Sequence, residues 1–151
     1  MKIRRATKKD IEGVVELFGE YDRYENALDK RHKVDSVKER KDFFNLLMKK
    51  PRAVVFVLDI DGRLGGVVSG EYRESMIGRG GIIHELIVSK DYRSMGYGKE
   101  LMKALEDYLK KKGCKSIQSF VFVKNKKVLN FYHKLGYSSN EEGFMIRKRL
   151  R

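Results

Sequence analysis

The chain has 151 residues, enough for one domain with a buried core, and its 41% hydrophobic and 11% aromatic content excludes disorder. A formal net charge of +13 attracts polyanions such as nucleic acid or a phosphorylated cofactor. One cysteine, Cys114, excludes an intrachain disulfide and reads as a small buried residue, while His32, His84 and His133 are too scattered for a structural metal site.

In chain order, residues 2–6 predict a short strand. Thr7 and Asp10 have capping-box spacing, and Ile11, Val14, Val15 and Phe18 follow at helical period. Residues 21–35 are polar and aromatic with no clear period and read as a loop or a broken helix. Ser36 with Glu39 is a second capping signal. Phe43, Phe44, Leu47 and Met48 then form an apolar helix face that Pro51 ends. Residues 53–58 predict a strand, Asp61-Gly62 a hairpin turn, and residues 64–72 the return strand. A second turn is expected at 78–81 and a further strand at 82–88. Residues 96–112 predict an amphipathic helix with Leu101, Leu105, Tyr108 and Leu109 on one face and Gly113 as its stop. Residues 116–123 predict a strand. Asn125 caps a short helix that Gly136 ends, and one or two closing strands start at Tyr137, the last over 144–149.

This order gives an α/β fold with a mixed sheet and about four helices on its faces, as a single domain over residues 1–151. The strands at 82–88 and 116–123 belong to one β-α-β unit and are expected to be parallel. No apolar run is long enough to span a bilayer and no signal peptide opens the chain, so a cytoplasmic protein without membrane contact is expected.

The segment Arg93-Ser94-Met95-Gly96-Tyr97-Gly98-Lys99 lies between a predicted strand and a predicted helix. A loop entering a helix presents backbone N–H groups that have no intrahelical partner, and the helix dipole adds partial positive charge there. Glycine lets the backbone approach a diphosphate closely, and Arg93 adds a permanent charge. No Gly-Lys-Ser/Thr follows, so it is not a P-loop, and Leu101 occupies the third glycine position of a dinucleotide fingerprint.

Residues 82–137 resemble the core of the GNAT superfamily of N-acetyltransferases. Glu85-Leu86-Ile87-Val88 followed by Asp91-Tyr92 resembles the family's pantetheine-binding strand. Arg93-x-x-Gly96-x-Gly98 matches its acyl-CoA signature, and Asn125 through Phe131-Tyr132 to Leu135-Gly136-Tyr137 resembles its C-terminal motif. The resemblance implies a GNAT-like acyl-CoA N-acyltransferase fold and acetyl-CoA as co-substrate with no metal. It also implies direct transfer of the acetyl group to a primary amine acceptor in a ternary complex, the acceptor being a small molecule, a protein N-terminus or a lysine. Homodimers are common among such proteins.

By the same resemblance, the backbone of Leu86, Ile87 and Val88 binds the pantetheine arm, and the amides from Arg93 to Lys99 take the diphosphate. Asn125 contacts the cofactor. Tyr132, seven residues after Asn125, is the candidate general acid. A phenol with a pKa near ~10 can protonate a thiolate whose thiol has a pKa near ~8.5 when the two are adjacent. His84 and Glu85 are both candidates for the general base. Strand neighbours point to opposite faces, so only one of them is expected to face the acceptor unless a bulge intervenes. Acceptor selection falls to Tyr21, Asp22, Tyr24, Glu25 and Asn26, with Glu71, Tyr72 and Arg73 as a second candidate group. The alternative reading keeps the fold as a module that binds nucleic acid or ribosome through its basic surface.

Overall fold

The computed structural model describes residues 1–139, 146–148 and 150. The chain divides into two compact units, Met1–Phe120 and Val121–Arg151. The first contains strand β1 (Lys2–Arg5), helices α1 (Ile11–Leu28) and α2 (Val37–Lys49), strands β2 (Ala53–Ile60), β3 (Arg63–Ser75) and β4 (Gly78–Val88), helix α3 (Tyr97–Lys111) and strand β5 (Ser116–Ser119). The second contains helix α4 (Lys126–Lys134). The closing strands expected after Tyr137 fall largely outside the described residues.

The capping signals act as the sequence suggests. The Asp10 carboxylate accepts from the Thr7 amide at 2.7 Å, and Ser36 and Glu39 cap one another's backbone at the start of α2. Asp10 also takes two bonds from Arg4, whose Nε reaches Asp59 on β2, all at 2.9 Å. Arg4 holds the Asp10 carboxyl at a pKa of about 2. Asp61 and Gly62 both have positive φ, 52° and 87°, as the tight β2–β3 hairpin turn requires.

Three elements differ from the sequence reading. Helix α1 continues without a break through residues 21–28. Its inward positions there carry Asp22 and Glu25, both buried, so an apolar count finds no period although the burial period persists. The β3–β4 turn is made by Met76 and Ile77, both fully exposed, and Gly78 to Gly81 already belong to β4. Strand β5 ends at Ser119 instead of continuing to residue 123.

Among the described residues, five strands form one sheet in the order β1-β2-β3-β4-β5, antiparallel from β1 to β4 and parallel between β4 and β5, as the β-α-β spacing predicts. Helices α1 and α2 cover one face. Val14, Leu17, Phe18, Phe44 and Leu47 pack there on Val55, Val57, Val67 and Ile87. The alternate residues of β3 face α3. A Cβ on Gly70 would lie 2.7 Å from the Ile82 carbonyl and 3.0 Å from Leu105, so only glycine lets α3 settle this close to the sheet.

Strand β4 is irregular in two places. Ser69 pairs with Glu85 and Gly70 with Ile83, which leaves His84 as an extra residue in a β-bulge. Pairing with β5 runs from Gly80↔Ser116 to Ile83↔Ser119 and then stops. From His84 onward β4 has no ladder partner on that side among the described residues.

Candidate active site

The bulge sets the site. His84 and Glu85 both project toward the α1–α2 face, where Glu85 stands beside α1 and His84 Nε2 lies 3.5 Å from Glu71 Oε1. Glu85 lines a cavity of about 40 Å³ together with Phe18, Tyr21, Asp22, Asp35, Arg40 and Phe43. That is room for an aminomethyl group or a few atoms more. Helix α1 supplies Phe18, Tyr21 and Asp22 at helical spacing, and α2 supplies Arg40 and Phe43. Asp22 also fixes the segment between the helices. It accepts from the Asp35 amide at 3.1 Å and lies 3.5 Å from His32.

The pocket is acidic, and its carboxylates oppose one another. Burial pushes the Glu85 pKa up to about 8, and the negative charges of Asp22, Asp35 and Glu25 add to the shift. Glu85 is therefore largely protonated at neutral pH and ionises just above it.

His84 sits in a different environment. Burial lowers its pKa, against the opposing pull of Glu71, so it is neutral at pH 7. Its Nε2 and the Ser69 hydroxyl are buried and form no hydrogen bond among the described residues. Glu71 is buried as well. Burial opposes its ionisation, but hydrogen bonds from Arg73 (2.7 Å) and Lys50 (3.1 Å) outweigh that and keep it below the ordinary carboxylate range.

Beyond Val88 the chain makes a 3-10 turn, Lys90–Tyr92, and enters the glycine loop. Ser94 has φ 62° and Gly96 φ 84°. Gly96 is the N-cap of α3 and, having no side chain, leaves the first-turn amides without a side-chain cap. Among the described residues, and apart from its neighbours along the chain, nothing lies within 4 Å of where its Cβ would be. In the second unit, Asn125 caps α4 by accepting from the Val128 amide at 3.3 Å. Tyr132 is buried, with its ring 5.3 Å from that of Tyr137 and 5.6 Å from that of Phe131.

Residues 14–137 match the model of the acetyltransferase (GNAT) family. The chain belongs to that family. It is 31% identical over 143 residues to an uncharacterized N-acetyltransferase of Methanocaldococcus jannaschii, covering 92% of this chain. The match spans 61% of that relative's length. Among solved structures, a Bacillus halodurans protein superposes with a TM-score of 0.86 at 19% identity, over 99% of this chain and 100% of its own. AAC(6′)-Iy, in complex with the bisubstrate analogue CoA-S-monomethyl-acetylneamine, gives a TM-score of 0.75 at 19% identity, over 99% and 98% of the two chains. At these identities the structural likeness speaks for the fold.

The GNAT chain fits an acyl-CoA in three observable ways. The α3 amides are uncapped, the space over Gly96 is open, and β4 is unpaired by β5 along the segment that includes Leu86, Ile87 and Val88. Of the acceptor residues expected from sequence, Tyr21 and Asp22 line the Glu85 pocket, and Glu25 is buried close enough to act on Glu85. Tyr24 instead lies under the Arg93 guanidinium, and Asn26 donates to the His32 carbonyl. Tyr72 falls on the α3 side of the sheet, opposite Gly81, with Arg52 and Arg79 stacked on its ring. Arg93 does not lend its charge freely, because it is paired with Glu20. Sequence reasoning missed Asp35, Arg40, Phe43 and Glu20 as parts of the site. The signal within reach was the 3.6-residue period continued through Asp22 and Glu25, which places α1 and the Asp35 segment together.

Among the described residues no helix is long and apolar enough to cross a membrane, and no cluster of His, Cys, Asp and Glu is arranged to hold a metal ion.

Proposed function

We propose that the protein transfers the acetyl group of acetyl-CoA to a primary amine that is cationic in solution, by direct attack within a ternary complex. The observation that carries this reading is the position of Glu85, just past the last β4–β5 pair and inside a pocket where, among the described residues, the carboxyl groups of Asp22, Asp35 and Glu85 outnumber the single cation, Arg40, beside the rings of Phe18, Tyr21 and Phe43. An ammonium group relieves the repulsion among Glu85, Asp22, Asp35 and Glu25, and the faces of Phe18, Tyr21 and Phe43 accept its aliphatic stem.

Acetyl-CoA supplies the thioester. The α3 amides and the loop from Arg93 to Lys99 take its diphosphate, and the backbone of Leu86, Ile87 and Val88 takes the pantetheine arm. A main-chain N–H near Ile87 or Val88 polarises the thioester carbonyl. Glu85 accepts the proton of the amine. An ordinary carboxylate with pKa 4.5 would do so at a cost of about 8 kcal/mol against an ammonium of pKa about 10.4, whereas a carboxylate at about 8 lowers that cost to about 3 kcal/mol. His84, neutral and next to Glu85, is the second group able to receive that proton. Tyr132 returns a proton to the departing thiolate, and Asn125 contacts the cofactor; both roles rest on the family motif.

The test is an acetylation screen over monoamines, diamines, aminoglycosides and lysine- or N-terminal peptides, with thiol release as the readout. Calorimetry with acetyl-CoA accompanies it. Binding with turnover on cationic amines supports the reading, and no acetyl-CoA binding at about 1 mM, roughly −4 kcal/mol, removes it.

A further inference from the structure

The arginine of the loop motif is held from three directions. Its Nε donates to the Val88 carbonyl at 2.9 Å, its Nη2 donates to Glu20 Oε1 at 3.2 Å, and the guanidinium lies 5.4 Å from the centre of the Tyr24 ring. The same Glu20 oxygen accepts the Lys90 amide at 2.6 Å. Glu20 and Tyr24 stand one turn apart on α1, while Val88, Lys90 and Arg93 are the end of β4, the turn after it and the start of the glycine loop. One carboxylate therefore gathers the whole approach to the α3 N-terminus onto α1. Between Glu20 and Tyr24 the same helix carries Tyr21 and Asp22, which line the Glu85 pocket.

We propose that Glu20 is a positioning residue. By binding Lys90 N–H and Arg93 together, it fixes the loop that carries the diphosphate-binding amides at a set distance from the acceptor pocket. Arg93 acts through this brace and not as a direct ligand of the diphosphate. The proposal rests on the acyl-CoA reading of the protein. A charge-assisted bond as short as the one to Lys90 is directional, so it fixes geometry. The Arg93 pair is partly solvated, and pairs of that kind add little to folding. Its loss is therefore expected to register in ligand binding more than in the melting temperature.

The two roles open to Arg93 predict opposite signs for one variant. In the brace, Glu20→Ala releases the loop, weakens acetyl-CoA binding about five- to tenfold and raises its KM. At saturation kcat stays within about twofold, because chemistry occurs only with the loop closed on its ligand. Glu20→Gln, which keeps an acceptor for Lys90 N–H, loses less. Arg93→Ala loses about as much as Glu20→Ala, and the double variant loses little more than either single one. If Arg93 bound the diphosphate directly, removing Glu20 would free its charge and tighten acetyl-CoA binding, and Arg93→Ala would cost far more than Glu20→Ala.

The experiment is calorimetry and steady-state kinetics on the full chain and these four variants, with thermal melts alongside. Tighter or unchanged binding in Glu20→Ala, strict additivity in the double variant, or a fall in melting temperature with unaltered binding each overturns the proposal. A wild-type chain that binds no acetyl-CoA removes the acyltransferase reading and this one together. Wild-type binding with an unaffected Glu20→Ala variant removes this one alone.

Discussion

His84 and Glu85 are consecutive residues of one strand, yet both project to the same side of the sheet. Regular pleating forbids this, and the bulge opposite Ser69 and Gly70 permits it. The consequence is chemical. A neutral imidazole and a carboxyl that ionises near pH 8 stand side by side on the α1–α2 face, where one of the two would otherwise be turned toward α3.

Glu85 is expected to control the pH dependence of turnover. It must be ionised to take a proton from the amine, so kcat should rise with pH and level off above a midpoint near 8. Glu85→Gln should lower kcat by roughly 10²- to 10⁴-fold, the usual contribution of a general base, and abolish that limb. Steady-state kinetics from about pH 6 to about pH 10 decide it. A wild-type profile with no limb in this range would exclude Glu85 as the base.

The same carboxyl should weaken the fold as pH rises. Its folded pKa of about 8 lies above the ordinary 4.5, so the native state holds the proton more tightly than the unfolded chain. Its contribution is intact below the unfolded pKa and is lost between about 4.5 and 8, by at most on the order of 4–5 kcal/mol. Urea denaturation of wild type and Glu85→Gln at about pH 5 and about pH 9 measures this. The wild type should lose more stability than the variant across that interval, and parallel losses would show that the carboxyl is solvated.

Tyr132→Phe should lower turnover by roughly 10²-fold or more, while acetyl-CoA affinity by calorimetry stays unchanged. The ring also packs between Phe131 and Tyr137, and phenylalanine preserves that packing. Unaltered turnover, with chemistry shown to limit the rate, would take Tyr132 out of the mechanism.

Gly70→Ala should destabilise the protein by about 1–3 kcal/mol, because the new methyl meets the Ile82 carbonyl at 2.7 Å and backbone has to move. The midpoint of urea denaturation reports it. An unshifted midpoint would mean that the Ile82 carbonyl and Leu105 do not crowd Gly70.

Much of the fold is legible in the sequence wherever one residue type has one dominant physical use. The Ser36–Glu39 box, the Asp61-Gly62 turn and the glycine loop before α3 all announce themselves in this way. The second half of α1 does not, because Asp22 and Glu25 occupy positions where an apolar residue is the rule. Both carboxylates are buried at or beside the Glu85 pocket, so the departure from pattern and the charge of that pocket have one cause. The bulge at His84 carries no sequence signal, since its residue types suit a regular strand equally well. Glu20 is silent for another reason. Its partners, Lys90 and Arg93, lie 70 and 73 positions away, and only the fold brings them to α1.

The short seam between β4 and β5 sets a limit on mechanical integrity. Four residue pairs, Gly80↔Ser116 to Ile83↔Ser119, are all that fasten β5 to its neighbour. So short a ladder opens more readily than the eight-pair ladder between β2 and β3, so the β5 amides bonded to β4 should exchange with deuterium sooner than those between β2 and β3. A ligand that bonds to the exposed main chain of β4 would extend that seam and slow the exchange. Protection of β5 against solvent deuterium would then titrate with acetyl-CoA, before any product is formed.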